Sequence, residues 1–291
     1  MSSTIQNPES LQELIDRELP PNPSWIEPNI LTKRGKLLFG GESKTGKSLV
    51  MLSLVRALIT GEAPLECHLL SVPKPCKVLM IEQELGPYGL QQRARKIYKG
   101  IDRDILNSNL WYSTRIPEFQ LNTFQGRDLL KKWIDQVEPN VVVIDPIGKS
   151  QAYDENSNTQ IAKLWNIIDY SLKDYDHLDL SFIISHHFGK PNKDPRYAGD
   201  PLDIYNFRGA SKWRDDPDTL IAVHRHSNLS GRKDAWNIHT RWELRHGEPM
   251  EDLVFEVNKD LDLRVKYKGV VELPIKVPKK EEFQLSRLGG R

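Results

Sequence analysis

Gly41-Glu42-Ser43-Lys44-Thr45-Gly46-Lys47-Ser48 follows an apolar run, Leu37-Leu38-Phe39, and precedes a long apolar stretch that begins at Leu49. It matches the spacing G-x-x-x-x-G-K-[ST] without a mismatch. Each part has a physical task. The glycines let the backbone wrap closely enough for its N–H groups to face phosphate oxygens. The Lys47 ammonium reaches the β- and γ-phosphates of a nucleotide, and the Ser48 hydroxyl ligates Mg²⁺. A helix starting here adds the positive end of its dipole. Gly41 through Ser48, with Leu49 directly behind, are therefore the candidate nucleotide-binding residues.

Working outward, the chain alternates between two periods. Apolar strands are predicted at 36–40, 77–81, 110–114, 141–145 and 180–185. Helical patterns separate them at 48–60, 124–137 and 161–172, the first apolar almost all round and stopped by Gly61. This order predicts a mostly parallel sheet flanked by helices, an α/β fold. Short strands at 219–226, 235–242, 253–257 and 261–267 predict an antiparallel C-terminal extension, with a turn at Asn258-Lys259-Asp260. Residues 1–30 read as an N-terminal helical arm, with Asn7 as cap, Pro8 at the first position, and Leu11, Leu14, Ile15 and Leu19 on one face. Such a helix either covers the core or contacts another subunit. The core domain is expected over 31–272 and a flexible tail over 273–291.

Composition narrows the class. The chain has 291 residues, 41 Lys+Arg against 40 Asp+Glu and a net charge of +1, which excludes a globally basic nucleic-acid binder but not a local basic groove. Its 2 cysteines, Cys67 and Cys76, exclude a disulfide framework and suit a reducing cytosol. The apolar run at 49–59 is too short to span a bilayer and contains Ser53 and Arg56, so no membrane role is expected. The opening MSSTIQNPES has neither a basic n-region nor an apolar h-region, and a cytoplasmic location is the expectation.

A phosphate loop needs a second group to hold Mg²⁺. Val141-Val142-Val143-Ile144-Asp145 supplies it, a buried strand ending in a carboxylate at the sheet's C-terminal edge, where ligands of open α/β sheets bind. Ser48 and Asp145 are the candidate metal residues. Hydrolysis also needs a group that orients water. The strand Val78–Ile81 runs into Glu82-Gln83-Glu84, and alternation puts Glu82 and Glu84 on the same side, so it does not choose between them.

The phosphate loop, the acidic strand end, the VVVID strand, Ser185-His186-His187-Phe188-Gly189-Lys190 and Phe207-Arg208-Gly209-Ala210-Ser211 occur in this order. The set resembles the RecA/DnaB-like branch of AAA family P-loop ATPases, in particular the RepA-type hexameric replicative helicases of plasmids and mobile elements. The resemblance covers roughly residues 25–230. It implies a RecA-like domain that binds ATP with Mg²⁺, an ATPase activity, a homo-oligomeric ring of six by analogy with those helicases, and single-stranded DNA as partner. By its pattern Glu84 is the catalytic base ahead of Glu82, Lys47 the catalytic lysine, Asp145 the Mg²⁺-positioning carboxylate, and His187 the γ-phosphate sensor with Lys190 as a second contact. Arg208 takes the role of a finger inserted into a neighbour's nucleotide site, with Arg214 as rival.

Two segments have the position and composition of strand-gripping loops: 147–159, with Lys149 and Tyr153, and 188–207, with Lys190, Lys193, Arg196, Tyr197 and Tyr205. The functional alternative is a regulatory ATPase switch whose nucleotide state controls assembly or a protein partner without helicase activity.

Overall fold

The strand that ends in Asp145 lies inside a broad sheet whose apolar residues alternate between two cores. In the computed structural model, which describes residues 10–18, 23–189, 199–226, 235–259 and 262–271, the elements run as follows. A short helix α1 (Leu11–Asp16) precedes a small hairpin of β1 (Ser24–Ile26) and β2 (Leu31–Thr32). Then come β3 (Lys36–Gly40), α2 (Lys47–Thr60), β4 (Val78–Glu82), α3 (Pro87–Ile97), α4 (Arg103–Asn109) and β5 (Leu110–Thr114). α5 (Phe124–Val137), β6 (Val141–Asp145), α6 (Asn158–Asp174) and β7 (Ser181–Ser185) complete the central units. The chain closes with α7 (Lys212–Asp215), β8 (Thr219–His226), β9 (Ala235–Leu244), β10 (Leu253–Asn258) and β11 (Val265–Val270).

The strand order is β11-β10-β9-β8-β3-β7-β6-β4-β5. From β8 to β5 every pairing is parallel, and from β8 to β11 every pairing is antiparallel. This is the expected mostly parallel sheet with an antiparallel extension, a RecA-like arrangement. Successive strand residues face opposite sides. Leu37, Phe39, Met80, Val141 and Val143 pack into a core with α2 and the antiparallel strands. Leu38, Leu79, Ile81, Val142 and Ile144 pack into a second core under α5 and α6. α2 is apolar all round because the sheet covers one side and residues of β9, β10 and β11 cover another: Ile238, Phe255 and Val265 share its cluster.

The N-terminus departs from expectation in two ways. The described helix starts at Leu11, where Ser10 accepts from the Glu13 N–H at 3.2 Å and the Glu13 carboxylate accepts from the Ser10 N–H at 2.7 Å. Asn7 and Pro8 lie outside the described residues, as do Leu19, Asp260 and the tail expected at 273–291. Leu11 and Ile15 are 71% and 65% exposed, so this helix does not cover the core. The residues that do cover it are Trp25, Ile26 and Ile30 of the hairpin, from the segment read as arm. The last strand sits later than expected, at 265–270, and the described residues end at Val271. Among the described residues no helix is long and apolar enough to cross a membrane.

Candidate functional site

β3 delivers the chain to Gly41 at the C-terminal edge of the sheet. A side chain there would place its Cβ 2.4 Å from the Val223 carbonyl oxygen of β8, so only glycine passes. Gly46 caps α2 with φ 105°, a left-handed conformation that favours glycine. Between them Thr45 Oγ1 donates to the Glu42 carbonyl at 2.9 Å. Lys47 folds back into the loop and donates to the carbonyls of Gly41 and Glu42, both at 2.7 Å. Its Nζ lies 3.4 Å from Nδ1 of His187. Burial lowers the Lys47 pKa to about 8, while the carboxylates of Asp145, Glu84 and Glu42 pull the other way.

β4, β6 and β7 end side by side at the same edge. Glu82 is the register partner of Asp145, and the Ser185 hydroxyl donates to Asp145 Oδ1. Asp145 is buried, whereas Ser48 at the first turn of α2 is partly exposed. A hydroxyl and one carboxylate are hard oxygen donors, the set that Mg²⁺ takes when substrate phosphates and water supply the remaining positions. Among the described residues no group of three or more His, Cys, Asp or Glu side chains could form a dedicated protein cage.

Glu82 and Glu84 have different environments. Glu82 is 1% exposed, and its carboxylate accepts from the backbone N–H groups of Glu84 at 3.0 Å and Leu85 at 2.8 Å. Burial raises its pKa against the pull of those bonds. Glu84 is exposed, and its charge raises the pKa of both Lys47 and His187. The structure thus brings Lys47, Asp145, Glu84 and His187 together around the phosphate loop. The His187 pKa is lowered, by burial first and by the Lys47 charge second.

Arg208 is tied to that group through the backbone. Its N–H donates to the His187 carbonyl at 3.2 Å, and His186 Nε2 donates to the Arg208 carbonyl at 3.0 Å. The His186 ring stacks on Trp213 at 4.2 Å and parallel to Phe207 at 6.4 Å, and burial lowers its pKa to about 4. The Arg208 guanidinium is 63% exposed and pairs with Glu155 at 3.2 Å. The Arg214 guanidinium lies 4.5 Å over the Tyr205 ring. Lys190, Lys193, Arg196 and Tyr197 lie outside the described residues. Sequence reasoning did not assign Ser185 or Glu155 a role. Ser185 directly precedes the His-His pair, which is the one signal pointing to it.

A cavity of about 700 Å³ lies at the opposite end of the sheet, where Trp25, Lys33, Lys77, Asn140 and Asp179 line it. It contains none of the groups described above.

A family model described as an AAA domain matches residues 4–193, well over half of the chain. That span includes the phosphate loop, Glu84, Asp145 and His187 and ends before Arg208. A 4-hydroxy-tetrahydrodipicolinate synthase of Ligilactobacillus salivarius (strain UCC118) is 28% identical over 111 residues, which are 34% of this chain and 37% of that protein. The chain spans little more than a third of that relative's length, and the match carries no argument about activity.

Proposed function

The chain belongs to the AAA domain family, a nucleotide-hydrolysing ATPase, and from that premise we propose a ring-forming Mg²⁺-dependent motor, a replicative helicase translocating on single-stranded DNA. The observation that carries the ATPase part is the convergence on Lys47 Nζ of the Gly41 and Glu42 carbonyls, His187 and the charges of Asp145 and Glu84.

On this reading the loop's backbone N–H groups and Lys47 hold the β- and γ-phosphates of ATP, and Ser48 and Asp145 are the Mg²⁺ residues. Bound Mg²⁺ neutralises charge developing on the phosphate oxygens. Glu84 orients the attacking water. Glu82 is unsuited to that task because backbone donors occupy its carboxylate and solvent does not reach it. His187 sits beside Lys47, where it senses the γ-phosphate, and its carbonyl is bonded to the Arg208 N–H. Arg208, exposed and held in its own subunit by Glu155, acts as the finger on a neighbour's nucleotide, where a planar guanidinium neutralises γ-phosphoryl charge. A finger of this kind calls for a ring, with six subunits by resemblance to RepA-type helicases, and the 2 cysteines suit a cytoplasmic location.

The test is ATP turnover at fixed Mg²⁺, with and without single-stranded DNA, on protein sized by light scattering. Many-fold, salt-sensitive stimulation in a six-subunit species is expected. Turnover indifferent to DNA from a monomer or dimer contradicts the motor and leaves a nucleotide-gated switch acting on a protein partner.

A further inference from the structure

Arg115 follows the last residue of β5 and adopts φ 46°, a left-handed conformation that a side-chain-bearing residue rarely takes. Its backbone N–H donates to the Glu82 carbonyl at 2.9 Å. That pairing extends the parallel β4–β5 ladder by one step and turns the side chain toward the loop that leaves β4. There Nε and Nη2 both donate to a single acceptor, the Glu84 carbonyl, Nε at 2.9 Å. Gly86 closes over the guanidinium. Its φ is 61°, and a Cβ at that position would lie 3.2 Å from Arg115 Cδ and Nε.

The peptide groups flanking Glu84 are therefore gripped from two directions. The Glu82 carboxylate takes the N–H groups of Glu84 and Leu85, and the Arg115 fork takes the Glu84 carbonyl. An exposed glutamate on a loop has many rotamers and a mobile backbone, and a misplacement of about 1 Å in such a group costs up to roughly 10²-fold in rate. A backbone carbonyl fixed by two charge-assisted bonds removes most of that freedom.

We propose that Arg115 is a positioning residue that fixes Glu84 for water orientation. The proposal rests on the reading of Glu84 as the water-orienting group. Arg115 itself touches neither phosphate nor water in this role.

The experiment compares kcat, the KM for ATP and melting temperature for wild type, Arg115→Ala, Arg115→Lys, Glu84→Gln and the double variant Arg115→Ala/Glu84→Gln. The expected result for Arg115→Ala is a kcat lowered by about tenfold or more, with KM and melting temperature within the range of wild type. Arg115→Lys, which keeps the charge but not the fork, falls between the two. Adding Arg115→Ala to Glu84→Gln lowers kcat no further, because both act on one step. An Arg115→Ala enzyme with wild-type kcat beside an inactive Glu84→Gln overturns the proposal and leaves Glu84 in place. A raised KM at unchanged kcat also overturns it, because Arg115 then serves binding. A Glu84→Gln enzyme with full kcat overturns the Glu84 reading and with it this inference. If Arg115→Ala does not fold, Arg115→Lys carries the same comparison, and a wild-type kcat there in the folded variant counts against the fork.

Discussion

The Ser185 hydroxyl donates to Oδ1 of Asp145 across the boundary between β7 and β6, and both side chains are buried. One oxygen of the carboxylate is thereby fixed, and in the proposed function the group serves Mg²⁺. Hydrogen-bond partners of metal-positioning groups typically contribute about 10- to 100-fold to metal affinity. Ser185→Ala should raise the Mg²⁺ concentration for half-maximal turnover by about tenfold, with little change at saturating Mg²⁺. A magnesium titration of ATP hydrolysis checks this, and an unmoved midpoint would contradict it.

Lys47 gives a proton signature to nucleotide binding. In the free protein burial brings its pKa down to about 8, and phosphate oxygens beside it would raise that value. As pH rises past that value the free protein increasingly gives up this proton, so binding should take one up and apparent affinity should fall. Calorimetry at pH 8.5 in buffers of different ionisation enthalpy should show net proton uptake on binding ATP. Lys47→Ala should abolish the uptake and lower turnover by at least about 10²-fold. Uptake unchanged in that variant would show that the proton belongs elsewhere.

His186 predicts a pH dependence of stability. Its folded-state pKa is lowered to about 4 from an ordinary 6.5, because the ring is buried between Phe207 and Trp213. Between those values the unfolded chain binds a proton that the folded chain does not. Stability is therefore lost as pH falls through this window, with a slope approaching about 1.4 kcal/mol per pH unit from this group. Urea unfolding from pH 6.5 to 4 should show a shallower slope in His186→Gln than in wild type. Parallel slopes would remove His186 from the account.

Arg208 bears on the ring. A finger that works in a neighbour's site can be supplied by a subunit whose own site is dead. Arg208→Ala should lower turnover by roughly 10³-fold without changing assembly. Mixing it with Lys47→Ala protein, inactive on its own, should restore activity. Full turnover in Arg208→Ala alone would refute the assignment.

Much of this was legible because the signals are local. The phosphate loop lies within eight consecutive residues, 41–48, and β3, β5 and β6 are apolar runs bounded by breakers, so their ends fall where periodicity puts them. α3 and α4 escaped reading because so little of them is buried: Leu90 and Ile97 in α3, and no residue of α4. The hairpin of β1 and β2 escaped because Trp25 and Ile26 sit between prolines and look like linker. Alternation failed at Glu82 and Glu84 for a physical reason. β4 ends at Glu82, whose carboxylate turns back onto the N–H groups that follow, and Glu84 lies beyond the pleat. Ser185 and Arg115 act through hydrogen bonds to neighbouring strands and loops, and such pairings appear only once the strand order is known.

The most direct test of the account is steady-state, Mg²⁺-dependent ATP hydrolysis by the wild-type protein beside Glu84→Gln, with ATP binding measured on both. The account predicts turnover in wild type, near-equal ATP binding in the two, and hydrolysis lower by about 10²-fold or more in Glu84→Gln. Equal rates in the two proteins, or no Mg²⁺-dependent hydrolysis by wild type, would contradict it.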